Sequence, residues 1–218
     1  MSNKVWKEKW KRNDIAFHQS TASHLLKKHL LQLNIPAGSE ILVPMCGKSL
    51  DMNILADMGY NVIGIELSNI AIKAYFDALN VKPTREKNRR FIRWKHKNTE
   101  IWCGDIFDLT EKEIGHIRVL YDNSALTALS PDARPRYVQH FHDILAKESQ
   151  ILLITTETPD ETQFNSSQTI DNEITSLYEK QYDITLLHGK KVISHDPEQP
   201  EEAKRPMEEK VYRLKSIV

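Results

Sequence analysis

A buried strand followed by a glycine turn is predicted by Ile41-Leu42-Val43-Pro44-Met45-Cys46-Gly47-Lys48-Ser49, where an apolar run leads into a segment containing proline and glycine. Residues 50–58 then have the pattern of a helix, and Val62-Ile63-Gly64-Ile65 predicts a second strand that ends at Glu66. Short apolar runs that alternate with longer amphipathic stretches are typical of a parallel sheet with crossover helices. The sequence therefore predicts an α/β fold.

Five further strands can be traced along the chain. Their cores lie at Ile101-Trp102-Cys103, Val119-Leu120-Tyr121, residues 151–155, residues 184–187 and residues 211–214. We predict a Rossmann-like, doubly wound and mostly parallel seven-stranded sheet, formed by a single domain over residues 1–218. In this interpretation residues 40–218 form the core, and residues 1–35 form an N-terminal arm and helix that cover the site as a helical lid.

Several local signals fix the ends of helices and the positions of loops. Ser68 is predicted to cap one helix, and Pro131 to open another at its first turn. Residues 82–97 are dominated by charged side chains, which predicts a surface loop or an exposed hairpin. Residues 194–204 are rich in Pro and Glu and predict a loop.

The composition favours a protein that acts on small molecules. Lys and Arg number 30, Asp and Glu also number 30, and the sequence pI is about 7.1, so no basic field attracts nucleic acid or an anionic membrane. Cys46 and Cys103 are too few for a disulfide scaffold. Residues 1–12 lack the apolar core of a signal peptide, and no run has the roughly 18 apolar residues that span a membrane. We expect a cytoplasmic monomer with neither a nucleic-acid nor a membrane partner.

The turn at Gly47 and the acid at Glu66 indicate a nucleotide-like ligand. A glycine after the first strand lets the backbone approach such a ligand closely, although the same glycine could simply turn the chain. Gly47-Lys48-Ser49 resembles a phosphate-binding loop, but that motif needs a glycine at position 42, which is Leu. A carboxylate at the end of the second strand can accept both hydroxyls of a ribose, which suits NAD and S-adenosylmethionine equally. A solvated surface role for Glu66 is the alternative.

Two other groups are candidates for ligand contacts. Gly104-Asp105-Ile106 follows the third predicted strand, where an acid and an apolar side chain could meet an adenine, although an ordinary strand-end turn explains it as well. Trp6 and Trp10 are four residues apart, so on a helix they share one face and could close over a flat or cationic ligand. Packing in a core is the more common use of such a pair.

Other chemistries have little support in the sequence. His18 could accept a proton or could be a structural hydrogen-bonding residue. Cys46 and Cys103 have no neighbouring Cys or His at the spacing of a zinc site, so we predict no metal. A serine nucleophile motif, Gly-x-Ser-x-Gly, does not occur.

Four stretches, in this order and spacing, resemble the bacterial thiopurine S-methyltransferases, a family of class I S-adenosylmethionine-dependent methyltransferases. They are Trp6-x3-Trp10-x6-Phe17-His18-Gln19, Val43-Pro44-Met45-Cys46-Gly47-Lys48-Ser49-Leu50-Asp51-Met52, Gly64-Ile65-Glu66-Leu67-Ser68 and Cys103-Gly104-Asp105-Ile106-Phe107-Asp108-Leu109. The similarity covers about residues 6–214. It favours S-adenosylmethionine over NAD as the cofactor.

The resemblance implies a role for several residues by position. It implies cofactor contacts that run from the methionine part through the ribose to the adenine, and these would come from Trp10, Met45, Gly47, Glu66, Asp105, Ile106 and Asn123. It also implies that Phe17 and Asn123 border the substrate. No catalytic base is assigned, since a soft acceptor that ionises near neutrality needs alignment and desolvation more than a base.

One position departs from the family pattern. The family usually has Arg in Tyr-Asp-Arg-Ala-Ala-Leu, whereas this chain has Tyr121-Asp122-Asn123-Ser124-Ala125-Leu126, so the side chain at that position carries no charge. The resemblance implies methyl transfer to thiopurines or other small aromatic thiols, or to selenium or tellurium compounds. The alternatives are an O- or N-methyltransferase for small molecules and a non-catalytic protein that binds S-adenosylmethionine.

Overall fold

A mixed sheet forms the centre of the molecule in the computed structural model, which describes residues 3–160, 165–193 and 205–217. Its strands are β1 (Glu40–Val43), β2 (Asn61–Glu66), β3 (Thr84–Asn88), β4 (Phe91–His96), β5 (Thr99–Cys103), β6 (Val119–Asn123), β7 (Gln150–Glu157), β8 (Tyr182–Ile193) and β9 (Pro206–Ser216). They lie in the order β3-β4-β5-β2-β1-β6-β7-β9-β8.

The central five strands, β5, β2, β1, β6 and β7, run parallel. The chain builds outward from β1 in one direction through β2 and β5, and in the other through β6 and β7. The strand order thus reverses between β1 and β6, and ligands of open α/β sheets bind at the carboxyl ends of strands at such a point. The predicted fold class, α/β with a mostly parallel sheet, is confirmed.

The described sheet has nine strands, so the predicted count of seven was wrong. The additional pair is the hairpin β3–β4 in the charged stretch 82–97, which pairs antiparallel with β5. Arg85 and Arg93 place their guanidinium groups 3.6 and 3.8 Å from the ring centroids of Trp94 and Trp102, so charged side chains cover the aromatic rings. The stretch is therefore rich in charged residues although two of its aromatic side chains, Phe91 and Trp94, are buried.

Eight α-helices pack around the described sheet, linked in places by short 3-10 turns. They are α1 (Asn3–Arg12), α2 (His24–Leu30), α3 (Asp51–Asp57), α4 (Asn69–Ala78), α5 (Glu111–Ile114), α6 (Ala125–Ala128), α7 (Arg134–Ile144) and α8 (Asn172–Tyr178). Apolar side chains of α2, α3 and α4 form one buried cluster with the sheet, and those of α5 to α8 form another. None of the described helices combines the length and the apolar character needed to cross a membrane.

Two of the local signals in the sequence are confirmed. Ser68 caps α4 through its hydroxyl, which accepts the N–H of Ala71 at 3.4 Å. Pro131 opens a 3-10 turn, Pro131–Ala133, that leads into α7. The loop predicted at residues 194–204 lies outside the described residues.

Gly104 tests the packing of the hairpin on the sheet. A Cβ at this position would lie 2.4 Å from Cδ1 of the buried Phe91 ring, so we expect Gly104→Ala to lower the free energy of unfolding by about 1–3 kcal/mol. Chemical denaturation measures the loss. In a Phe91→Ala background the same substitution should cost much less, because the clashing ring is gone. An equal cost in both backgrounds would contradict this packing of β4.

Candidate cofactor and acceptor site

A cavity of about 600 Å³ lies at the carboxyl ends of β1, β2, β5 and β6, with the N-terminal arm forming its outer wall. All eight residues predicted to contact the cofactor or the substrate line it, namely Trp10, Phe17, Met45, Gly47, Glu66, Asp105, Ile106 and Asn123. The structure therefore brings together candidates from five separate parts of the chain. What each of them binds stays a prediction.

Glu66 joins two turns at the floor of the cavity. Its Oε2 accepts the N–H of Gly47 at 2.9 Å, and its Oε1 accepts the N–H of Ser68 at 2.6 Å. The side chain is buried, and this burial raises the pKa of Glu66 to about 7 despite those hydrogen bonds, which favour the ionised form. The solvated surface role is excluded.

The turn after β1 has a backbone shape that suits glycine. Met45 and Gly47 both have positive φ values, 47° and 53°. A Cβ on residue 47 would also lie 3.2 Å from Cζ2 of Trp10, so the absence of a side chain lets the indole pack directly on the backbone. Gly47 thus allows both the turn and the approach of the arm.

The N-terminal arm closes the cavity through an aromatic cluster. Phe17 contacts Trp6 and Trp10 edge to face, with ring centroids 5.3 and 5.7 Å apart. Trp10 is buried, whereas Phe17 is 43% exposed. At the start of α1, Asn3 Nδ2 donates to Asp105 Oδ2 at 2.5 Å, so the helix reaches across to the end of β5.

Asp105 and Ile106 begin the segment after β5. Asp105 Oδ1 accepts the N–H of Phe107 at 3.0 Å and so caps the 3-10 turn Ile106–Asp108. Ile106 is buried, and its carbonyl oxygen lies 2.8 Å from Nε2 of His140. A turn-capping role for Asp105 is therefore present alongside the predicted adenine contact.

Asp51 was not singled out in the sequence, yet it organises the side of the cavity near Asn123. Its Oδ2 accepts hydrogen bonds from the Asn123 amide at 2.9 Å and the Tyr121 hydroxyl at 2.8 Å, and its Oδ1 accepts the N–H of Ser23 at 2.7 Å. Burial and the Asp51 charge hold the pKa of Tyr121 well above its usual value, so its hydroxyl remains a donor. Asn123 is thus fixed by a buried carboxylate. The sequence offers only a weak signal for Asp51, an acid in the first turn of a helix that follows the glycine turn.

Several charged and titratable groups complete the lining. They are His18, His24, Lys48, Arg136 and Glu209. Burial raises the pKa values of the Cys46 and Cys103 thiols, so both remain protonated at neutral pH. Within the described residues, no group of three or more His, Cys, Asp or Glu side chains is arranged to hold a metal ion.

The chain is similar to one protein family along almost its whole length. The family model described as Thiopurine S-methyltransferase (TPMT) matches residues 1–217. A probable thiopurine S-methyltransferase of Yarrowia lipolytica is 38% identical over 218 residues, which cover 98% of this chain and 100% of the relative. A thiopurine S-methyltransferase of Stutzerimonas stutzeri is 36% identical over 213 residues, covering 97% and 90% respectively.

Solved structures share the fold at low sequence identity. A 1,6-didemethyltoxoflavin-N1-methyltransferase of Burkholderia thailandensis, solved with its substrate and S-adenosylhomocysteine, gives a TM-score of 0.63 at 14% identity and covers 99% of this chain and 87% of that one. A TehB-like SAM-dependent methyltransferase of Corynebacterium glutamicum gives 0.54 at 14% identity, covering 99% and 98%. These neighbours show the fold alone.

S-adenosylmethionine fits the hydrogen-bonding groups of the cavity. The Glu66 carboxylate accepts the N–H groups of Gly47 and Ser68 on different oxygens, and its remaining lone pairs can accept hydrogen bonds from ribose hydroxyls. The packing of Trp10 on Gly47 puts an indole beside the turn after β1, and an aromatic face attracts a sulfonium cation.

Glu66 should make cofactor binding depend on pH. Ribose hydroxyls donate to the ionised carboxylate, so binding favours the form that predominates above pH 7 and lowers the pKa from its ligand-free value of about 7. We expect the Kd for S-adenosylhomocysteine, measured by calorimetry, to be constant above pH 7 and to rise as the pH falls below it.

The matched variant is Glu66→Ala. It should weaken binding by roughly 1.5–3 kcal/mol and remove the pH dependence, because the titrating group and its hydrogen bonds are absent. A Kd that does not change between pH 5.5 and 8 in the wild type, or that is unchanged in a folded Glu66→Ala variant, would contradict a ribose contact at Glu66.

Proposed function

The chain belongs to the thiopurine S-methyltransferase family and is an S-adenosylmethionine-dependent S-methyltransferase, and from this we propose that its acceptor is a small aromatic thiol whose ring carries no negative charge. The observation that supports this substrate class is the pairing of Asn123 with Asp51 at 2.9 Å, which leaves an amide where the family pattern has a guanidinium. A site without that cation gives up part of its attraction for an anionic ring.

The cofactor would occupy the part of the cavity nearest β1, β2 and β5. We propose that Glu66 holds the ribose and that Asp105 and Ile106 border the adenine. Met45 and Gly47 would lie along the methionine part, with Trp10 closing over it. When bound, S-adenosylmethionine supplies an electrophilic methyl group on a positively charged sulfur.

The acceptor would lie between the cofactor and the arm. Trp6 and Phe17 provide an aromatic wall, and ring contacts of this kind favour a flat apolar acceptor. Asn123 could donate or accept a hydrogen bond at the opposite side without adding charge. Closing the arm excludes water, and a desolvated sulfur anion is a stronger nucleophile toward a cationic methyl donor.

The same environment also suits selenium and tellurium compounds that act as soft nucleophiles and do not need an arginine at position 123 for binding. Thiopurines remain within the proposed class in their uncharged form. Methyl transfer assays with a thiophenol and a thiopurine, each compared with its oxygen analogue, test the proposal, and selenite and tellurite are assayed beside them. We expect the thiophenol to be methylated and the phenol not. Transfer to the phenol alone would overturn the proposed acceptor.

Asn123→Arg should change the preference among acceptors. A guanidinium at position 123 adds a positive charge beside the acceptor, so turnover of an ionised thiopurine should rise relative to that of the thiophenol. Steady-state kcat/KM for the two acceptors measures the ratio. Asn123→Leu is the matched control, because it removes the contact with Asp51 without adding charge. A ratio that shifts equally in both variants would mean that loss of the Asp51 contact, not charge, controls the preference.

A further inference from the structure

His18 lines the cavity between the arm and the turn after β1. It belongs to the segment between α1 and α2, directly after Phe17, and it lines the cavity together with Lys48. Its backbone N–H donates to the carbonyl oxygen of Ile15 at 2.8 Å, and this hydrogen bond does not involve the imidazole. Over the described residues, the imidazole makes no hydrogen bond to any side chain or backbone group. The alternative that His18 is a structural hydrogen-bonding residue therefore has no support.

The acids that line the cavity are already engaged. Glu66 and Asp51 accept two and three hydrogen bonds respectively, and the Asp105 carboxylate accepts from both Asn3 and Phe107. Glu209 lies 3.7 Å from the His24 imidazole. His18 is therefore a base in the cavity lining whose lone pair is not engaged by another group of the described residues.

The surroundings of His18 keep that lone pair available. Burial, and then the positive charge of Lys48, lower the pKa of His18 below its ordinary value, so the ring is neutral at physiological pH. The other charged groups around the cavity are Asp51, Glu66, Asp105, Arg136 and Glu209. Of these charges, that of Lys48 has the main effect on His18.

We propose that His18 is the proton acceptor for acceptors that reach the cavity as neutral thiols. This inference rests on the proposed S-methyl transfer. The S–H proton passes to a ring nitrogen of His18, and the sulfur forms its new bond to the methyl carbon as the bond from that carbon to the sulfonium sulfur breaks. The electron pair of the broken bond stays on the cofactor sulfur, so the products are a neutral thioether, S-adenosylhomocysteine and an imidazolium.

Lys48 would assist this step as a neighbouring cation. Its ammonium group favours the developing thiolate and disfavours protonation of His18 from solvent. The pair would therefore extend the substrate range to thiols whose pKa lies well above 7, such as alkyl and benzylic thiols, for which desolvation alone supplies no anion.

Two acceptors of different acidity test the proposal in the intact enzyme. A benzylic thiol is almost wholly protonated at pH 7, whereas a thiophenol with strongly electron-withdrawing substituents is already ionised. We expect His18→Gln to lower kcat/KM for the benzylic thiol by roughly 100-fold or more, the usual range for loss of a general base. For the ionised thiophenol the loss should be less than about threefold, because no proton must be removed.

His24→Gln is the matched control. His24 also borders the cavity, but its imidazole is beside Glu209 and its side chain is 77% exposed, so its removal should not affect the benzylic thiol selectively. Lys48→Met should move the acidic limb of the kcat/KM profile for the benzylic thiol to higher pH, because the cation that lowers the pKa of His18 is gone. A purely structural role for His18 would not produce that shift.

The outcomes separate this proposal from the proposed function. If the wild type methylates neither thiol, the S-methyl transfer to aromatic thiols itself is wrong. If it methylates both and His18→Gln affects them equally, or affects neither, His18 is not the proton acceptor. A selective loss for the benzylic thiol in His24→Gln instead would assign the role to His24.

Discussion

Glu66 accepts backbone hydrogen bonds from Gly47 and Ser68, and this pair of contacts joins the two turns that form the floor of the cavity. Gly47 follows β1 and Ser68 opens α4, so one carboxylate fixes the two neighbouring turns relative to each other. The contacts do not fully offset the cost of burying a charge. A rise in pKa from 4.5 to about 7 corresponds to roughly 3 kcal/mol of bias against the ionised form. Hydrogen bonds from two ribose hydroxyls would stabilise the ionised form and act against that bias. The buried carboxylate would therefore favour the state in which the cofactor is bound.

The N-terminal arm is fastened on both sides of the cavity that it covers. On one side Asn3 donates to Asp105, and Trp10 packs on the bare backbone of Gly47. On the other side the N–H of Ser23, which caps α2, donates to Asp51. The intervening segment carries Phe17 and His18 into the cavity. The same few residues of the floor, Gly47, Asp51 and Asp105, therefore shape the ligand cavity and anchor its cover.

Local sequence signals predicted most of the fold because they act over short distances. The apolar runs around β1 and β2, the cap at Ser68 and the glycine turn at Gly47 each follow from neighbouring residues. The sequence left a loop and a hairpin open for residues 82–97, because arginine side chains lie over Trp94 and Trp102 and give the strand pair β3–β4 a composition that also suits a loop. Strand count depends on such pairing across the sheet, which periodicity does not report.

The sequence predicted part of the candidate site and missed other parts of it. Eight residues chosen from motifs and from the family resemblance line one cavity, because all of them lie at or just after the carboxyl ends of parallel strands or on the arm. Asp51 was missed, since its role arises from three donors that are distant in sequence, Ser23, Tyr121 and Asn123. The free imidazole of His18 could not be inferred either, because the lack of a hydrogen-bond partner is visible only once the surroundings are known.

Hydrogen exchange measured by mass spectrometry, with and without saturating S-adenosylhomocysteine, tests most directly whether the cofactor binds under the arm. We expect slower deuterium uptake in α1 and in the turn after β1, with little change in the hairpin β3–β4, which lies at the far edge of the sheet. Protection confined to β8 and β9, or unchanged uptake in α1 while the ligand is bound, would contradict a site closed by Trp10 over Gly47.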